Sequence, residues 1–218
     1  MSDRDSRLIC FCVLACTIAI CCSTAWSAEP ADDGFVSLLN DKDLRGWKTE
    51  GNWIVEGEGV VGLEPRPGER GWTRYKSYLW TEKQYGDFVF DLEFKLPRGG
   101  NSGVYMRVTD TTTGKGIEVQ IRDSHGKKPP LHHHDCGGVI PIAAPSKDMA
   151  KPAGEWNRMI ITYRGQSIQV ELNGKKVVDL KPEDMRRTLP AEGHIGLQDH
   201  GVPLWVRNVR IKQLEGPQ

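Results

Sequence analysis

Two neighbouring segments, Asn101–Arg107 and Gly116–Asp123, alternate strictly between apolar and polar positions. Ser102, Val104 and Met106 share one side, with Asn101, Tyr105 and Arg107 opposite. In the second segment Ile117, Val119 and Ile121 share a side, and Glu118, Gln120 and Arg122 share the other. Strand side chains point alternately to the two faces of a sheet, so both segments are predicted as strands with one dry face. The opposite face is dense in hydrogen-bonding groups. It suits either a polyhydroxylated ligand or an ordinary solvent face with cross-strand ion pairs.

The same period recurs along the chain. Phe90, Leu92, Phe94 and Leu96 point inward, with Asp91, Glu93 and Lys95 outward. Further strands are predicted at 53–56, 60–63, 79–81, 158–163, 167–172, 175–179, 194–198 and 204–211. Asn173-Gly174 supplies a preferred two-residue hairpin turn. In the last strand, Leu204 and Val206 pack inward, and so do Val209 and Ile211 after a change of phase. Many short strands with Gly, Pro, Asn and Asp between them, and almost no 3.6-residue period, predict an all-β sandwich or jelly roll. One or two helical turns are expected at 182–187. The long irregular stretch 124–152 leaves directly from the Glu118 strand and is placed to wall its polar face.

Residues 1–28 stand apart. Arg4 and Arg7 precede an apolar run from Leu8 to Cys22, followed by small residues around Ala25 and Ser27. This is the pattern of a secretory signal peptide, too short for a stable membrane span. It predicts export, periplasmic or secreted, with lipoprotein anchoring disfavoured, and one domain at 29–218. Five of the six cysteines lie in that leader, so Cys136 has no internal disulfide partner. It reads as a packed residue rather than a nucleophile.

Twenty-nine basic and 29 acidic residues give a formal net charge of +0, which offers no field for nucleic acid or an anionic membrane. No P-loop, Rossmann glycine pattern or G-x-S-x-G elbow is present, so a nucleotide cofactor and serine-hydrolase chemistry are not supported. Glu118, facing a pocket, would be partly desolvated and suited to acid–base work; a salt bridge to Arg107 is the alternative. His200, beside Asp199 at a strand exit, is either an acid–base group or a turn histidine. Trp205 and Arg207 share a face of the last strand, to stack on and hold a sugar, or to belong to packing. His132-His133-His134-Asp135 looks metal-like, but neighbours in an extended segment cannot all face one ion. His134, Asp135 and Asp123 are the candidate ligands for a divalent ion, with cofactors otherwise unknown.

Taken in order, the motifs resemble a known family. They are Gly34-Phe35-Val36-Ser37-Leu38-Leu39-Asn40-Asp41-Lys42-Asp43-Leu44-Arg45-Gly46-Trp47, Asn101-Ser102-Gly103-Val104-Tyr105, Glu118-Val119-Gln120-Ile121, Gly154-Glu155-Trp156-Asn157, Gly196-Leu197-Gln198-Asp199-His200-Gly201 and Val206-Arg207-Asn208-Val209. The pattern is similar to that of the 3-keto-disaccharide hydrolase family, long called domain of unknown function 1080. Its members are also described as 3-keto-glucoside lyases and 3-keto-2-hydroxyglucal hydratases. Gly137-Gly138-Val139-Ile140 departs from the family's Gly-Ala-x-Tyr. The resemblance implies a concanavalin A-like sandwich of two curved antiparallel sheets and cleavage of a 3-keto-glycoside by elimination and hydration. It implies Glu118 and His200 as base and acid in either order. Asn101, Arg107, Gln120, Asp123, Trp205 and Arg207 are then the substrate-holding residues, with a small-molecule glycoside as partner and a divalent metal as an aid. A non-catalytic carbohydrate-binding module is the other reading, because fold does not fix function.

Overall fold

The structure, a computed structural model, describes residues 33–185 and 188–215; the leader predicted at 1–28 lies outside the described residues. Fourteen strands run in chain order: β1 (Val36–Ser37), β2 (Trp47–Lys48), β3 (Trp53–Gly57), β4 (Val60–Leu63), β5 (Leu79–Thr81), β6 (Phe88–Lys95), β7 (Asn101–Val108), β8 (Ile117–Arg122), β9 (Val139–Ile140), β10 (Asn157–Arg164), β11 (Ser167–Leu172), β12 (Lys175–Leu180), β13 (His194–Leu197) and β14 (Leu204–Gln213). The only helical pieces among the described residues are single 3-10 turns at Tyr75–Ser77 and Pro182–Asp184. No helix there is long and apolar enough to cross a membrane.

The strands form two antiparallel sheets. One has the order β12-β11-β10-β6-β14-β4-β3, with β1 also paired to β14; the other has the order β2-β5-β13-β7-β8-β9. Their inner faces share one core. Phe88, Phe90, Leu92 and Phe94 from one sheet lie in the same buried cluster as Val104, Met106, Val119 and Ile121 from the other. Burying each such side chain stabilises the fold by roughly 1.5–3 kcal/mol, which is how the sandwich stands without a disulfide; Cys136 is free and buried. The Asn173-Gly174 turn has φ of 51° and 75°, the left-handed pair that a two-residue hairpin needs.

Of the register shifts in the two sheets, those in β14 and β7 decide where expected site residues point. In β14 the register against β6 slips between Arg207 and Arg210, and Asn208 takes φ 51°. That slip is the change of phase that returns Val209 and Ile211 to the core. In β7 the register against β13 slips near its end: Tyr105 faces Gly196 and Val108 faces His194, so β7 carries one extra residue. The residue absorbing it is Arg107, at φ 50°. Val108 is thereby moved to the outer face, where it packs with Tyr78, Trp80 and Tyr105.

Candidate active site

The outer face of the six-stranded sheet carries a cleft of about 520 Å³. Its floor follows from the β7–β8 register, in which Gly103 lies opposite Gln120 and Tyr105 opposite Glu118. Gly103 has a specific reason to be glycine. A Cβ there would run into the Glu118 carboxylate, which lies across the bare backbone. The carboxylate is half-buried beside Tyr105, and burial lifts it to about 7, with the Tyr105 hydrogen bond pulling slightly the other way. Burial likewise raises the Tyr105 phenol, followed by the Glu118 charge, so the phenol stays protonated.

Around Glu118 stand amides with unspent capacity. Asn101 Oδ1, Gln120 Oε1 and Gln198 Oε1 are buried and accept no hydrogen bond from the described residues, and all three residues line the cleft. Each such group ordinarily costs about 1–3 kcal/mol. Three converging on one cleft are a set of acceptors suited to hydroxyl donors. Gln198 is fixed through its backbone, since its N–H donates to Gly103 O at 2.9 Å and its carbonyl accepts from Ser102 Oγ at 2.8 Å.

The segment 64–74 reaches one side of the cleft with a single residue. Its Trp72 is 51% exposed and lines the cleft. Trp72 begins an aromatic chain: its ring meets Tyr75 edge-on at 6.1 Å, Tyr75 meets Tyr78 at 5.6 Å, and Tyr78 stacks on Trp80 at 5.5 Å. The segment is tied to the His200 turn. Arg74 Nη2 donates to Asp199 Oδ2 at 2.6 Å, Asp199 is fully buried, and Gly71 N–H donates to His200 O at 3.2 Å. Asp199 is therefore the anchor of Arg74 rather than a partner of His200. The His200 imidazole lines the cleft, and burial, with the nearby Arg122 charge, pushes it below its ordinary value, so it is neutral at pH 7.

The structure thus brings together Asn101, Gln120, Glu118, His134 and His200 of the residues singled out in the sequence. It adds Trp72, Tyr75, Tyr105 and Gln198. Trp72 had a legible signal, a tryptophan set between Gly71 and Thr73 in a polar, glycine-containing stretch; Gln198 lay unsingled in the motif beside His200. Ile140, where the family pattern has Tyr, also lines the cleft.

Four expected site residues lie outside the cleft: Arg107, Asp123, Trp205 and Arg207. Arg107 is 1% exposed and turned away from the cleft by the β7 bulge. It donates to Gly86 O at 3.0 Å, Gly165 O at 2.7 Å, Pro190 O at 3.2 Å and Asp87 Oδ1 at 2.6 Å, and lies 3.8 Å over the Tyr163 ring. The Glu118–Arg107 salt bridge is accordingly not formed. Trp205 and Arg207 sit on the outer face of the opposite sheet, because β14 belongs to it. There Trp205 Nε1 donates to Glu56 Oε1 at 2.9 Å, and Arg207 Nε donates to Glu93 Oε2 at 2.8 Å while covering Trp156 at 4.2 Å.

The metal candidates rearrange as well. Residues 132–138 are not extended but turn twice, with Asp135 N–H donating to His132 O and Gly138 N–H to Asp135 O. The three imidazoles His132, His133 and His134 consequently converge, their ligand atoms all within 4.8 Å of one another. They are the group that could hold a divalent ion. Asp135 is committed otherwise: against burial, which favours the acid, Lys127 Nζ at 2.6 and 2.8 Å and the His132 N–H at 2.7 Å keep its carboxyl ionised. Asp123 accepts from Gly99 N–H at 2.8 Å and does not line the main cleft. Cys136 is pushed up to about 12 by burial and is no nucleophile.

Fold and cleft define a concanavalin A-like jelly-roll sandwich with an acidic group set in a polar pocket. A carbohydrate-binding module of Bacillus subtilis shares this fold, with a TM-score of 0.55 at 16% identity over 77% of this chain and 96% of the other. More particularly, the chain belongs to the 3-keto-alpha-glucoside-1,2-lyase-like domain family, whose pattern matches residues 34–212. It is 27% identical to a 3-keto-disaccharide hydrolase of Bacteroides thetaiotaomicron, over 85% of this chain and 81% of that one. A protein of Parabacteroides distasonis assigned as a glycosyl hydrolase superposes with a TM-score of 0.67 at 32% identity, covering 83% of this chain and 99% of the other.

Proposed function

We propose that the protein cleaves 3-keto-glucosides by elimination across C1–C2 followed by addition of water, and that it does so outside the cytoplasm. The observation that carries this reading is Glu118: a carboxyl held near pH 7, laid over Gly103 among three unpartnered amide oxygens. A pure binding module has no use for a carboxylate poised at that value, whereas acid–base work calls for it.

A ketone at C3 acidifies the C2 hydrogen. Glu118 takes that proton, and the C–H electrons pass into an enediolate. The neutral His200 imidazole and the amide N–H groups of Asn101 and Gln120 donate to its oxygens, in the manner of a neutral imidazole electrophile. The enediolate expels the C1 oxygen, which takes a proton from Glu118, leaving an enone with a C1=C2 bond. Water then adds its hydroxyl to C1 and a proton returns to C2, giving net hydrolysis. Gln198 and Gln120 accept from the sugar hydroxyls, and Trp72 covers the ring. No nucleotide is required, since the ketone arrives on the substrate from a separate oxidoreductase. A divalent ion on the His132–His134 imidazoles would supply Lewis-acid charge at the rim.

The test is a pH profile on methyl 3-keto-glucoside. Because the base must be ionised, kcat/KM should fall about tenfold per unit below pH ~7 and level off above it. His200 is neutral throughout that plateau. A profile flat from pH 5 to 8 would remove Glu118 as the base.

Gly103→Ala gives a second check. The added methyl meets the movable end of Glu118, so the fold should survive while the carboxylate is displaced. Misplacement by about 1 Å costs on the order of 10²-fold in rate. A normal circular dichroism spectrum with kcat down by that factor is expected; unchanged kcat would show that the carboxylate position is irrelevant.

A further inference from the structure

We propose that the leaving group carries an apolar ring, an aryl group, seated between Tyr75 and Ile140 at the β7–β8 hairpin end of the cleft. The proposal rests on the reading of the cleft given above and adds to it the class of leaving group.

The two ends of the cleft differ because of where the strands place their side chains. Residues directly opposite one another in neighbouring strands share a face. Tyr105 lies opposite Glu118 on one side and Ile140 lies opposite it on the other, so the three form one row across the sheet. Successive side chains on a face are about 7 Å apart along a strand. One step from that row stand Gln120, opposite Gly103, and Gln198, whose N–H donates to Gly103 O. Next come Asn101 opposite Arg122, and His200, which also lines the cleft. This end is a run of amides, imidazole and guanidinium, fit for the hydroxyls of a pyranose.

One step the other way the floor is bare. Gly116 stands two residues before Glu118, and a Cβ there would run into the Val108 side chain. A Cβ on Gly114 would run into the Tyr75 ring, which therefore lies across the hairpin. Tyr75, Gly114, Gly116, Ile140 and Pro141 line this end. Thr113 and Lys115 are its polar side chains, and Lys115 is exposed to solvent.

Glu118 stands at the border between the two ends. In the proposed reaction it protonates the C1 oxygen as the C1–O bond breaks, so that bond lies over the border as well. With the sugar hydroxyls on the amides, the group beyond the C1 oxygen falls on the glycines between Tyr75 and Ile140. A second sugar there would press hydroxyls onto apolar surface and lose hydrogen bonds to water without replacement. A flat ring loses none, and its contact with the Tyr75 ring adds attraction beyond burial.

The deciding experiment compares benzyl and methyl 3-keto-glucosides, which release alcohols of similar acidity, with a 3-keto disaccharide as the third substrate. Wild type should favour benzyl over methyl by about tenfold or more in kcat/KM, and benzyl over the disaccharide. Ile140→Thr keeps the β-branch that suits a strand and puts a hydroxyl in the slot. It should cut the benzyl preference by about fivefold or more, mainly through KM. Both rates come from one protein sample, so partial unfolding cancels from their ratio. Equal turnover of benzyl and methyl, a preference for the disaccharide, or a benzyl preference untouched in Ile140→Thr would overturn the proposal. Calorimetric titration with unoxidised benzyl glucoside and methyl glucoside runs in parallel. Suppose wild type cleaves no ketone yet binds benzyl glucoside more tightly, with a more negative heat capacity change, and Ile140→Thr removes that advantage. The reaction then fails and the aryl subsite stands. If benzyl has no advantage in binding or turnover, the subsite fails whatever the reaction.

Discussion

Glu118→Gln should lower turnover of a 3-keto-glucoside by about 10²- to 10⁴-fold, the usual worth of a positioned acid–base group, and should at the same time stabilise the protein above pH 7. Both effects have one cause. Burial lifts the folded-state carboxyl from its ordinary 4.5 to about 7, so the folded protein holds this proton more tightly than the unfolded chain. The resulting contribution is most favourable below pH 4.5, is lost as pH rises from about 4.5 to about 7, and stays lost above. A carboxyl shifted this far costs up to about 3 kcal/mol at pH 8. The neutral amide avoids that cost, and in a domain of this size the gain amounts to several degrees of Tm. Thermal melts of both forms at pH 4.5 and pH 8 check it: the difference should be large at pH 8 and small at pH 4.5. A less stable and fully active Glu118→Gln would place Glu118 among ordinary packing contacts.

Arg107→Met should unfold the protein readily rather than weaken its hold on substrate. The guanidinium is buried, paired with Asp87 and shared among three backbone carbonyls. Removing it strands a carboxylate and those carbonyls, a loss of about 3–5 kcal/mol for breaking a buried pair. Lysine restores the charge but not the fork, so Arg107→Lys should recover only part of the stability. Urea titration measures the loss, and KM of the remaining folded protein should match wild type. A large KM increase at unchanged stability would return Arg107 to the cleft.

Arg107 also shows where sequence reasoning ends. The alternation in β6, in β8 and in β7 up to Met106 was legible, because a period of two assigns faces wherever the strand is regular. One extra residue in β7 reverses that assignment for everything after it, and nothing in Tyr105-Met106-Arg107-Val108 announces the bulge. The bulge in β14 was foreseeable, since Val206 and Val209 cannot share a face at odd spacing. Trp205 and Arg207 were misplaced for a different reason: alternation gives a face, but only strand order says which sheet carries it. The cleft residues Glu118 and Gln120 emerged because their strand is regular from end to end. Trp72 and Gln198 reach the same cleft through contacts across more than 100 residues of chain, such as Arg74 with Asp199. The three histidines converge because two successive turns replace the extended chain that their spacing suggested.

In the proposed reaction, cleavage passes through removal of the C2 proton above Glu118. Turnover of methyl 3-keto-glucoside in deuterium oxide, quenched early and read by mass spectrometry and proton NMR, measures that step directly. The expected product is 3-keto-glucose carrying one deuterium at C2, with unreacted substrate and an enzyme-free control unlabelled there on the same time scale. Product that keeps its original hydrogen at C2, or no product at all, would contradict it.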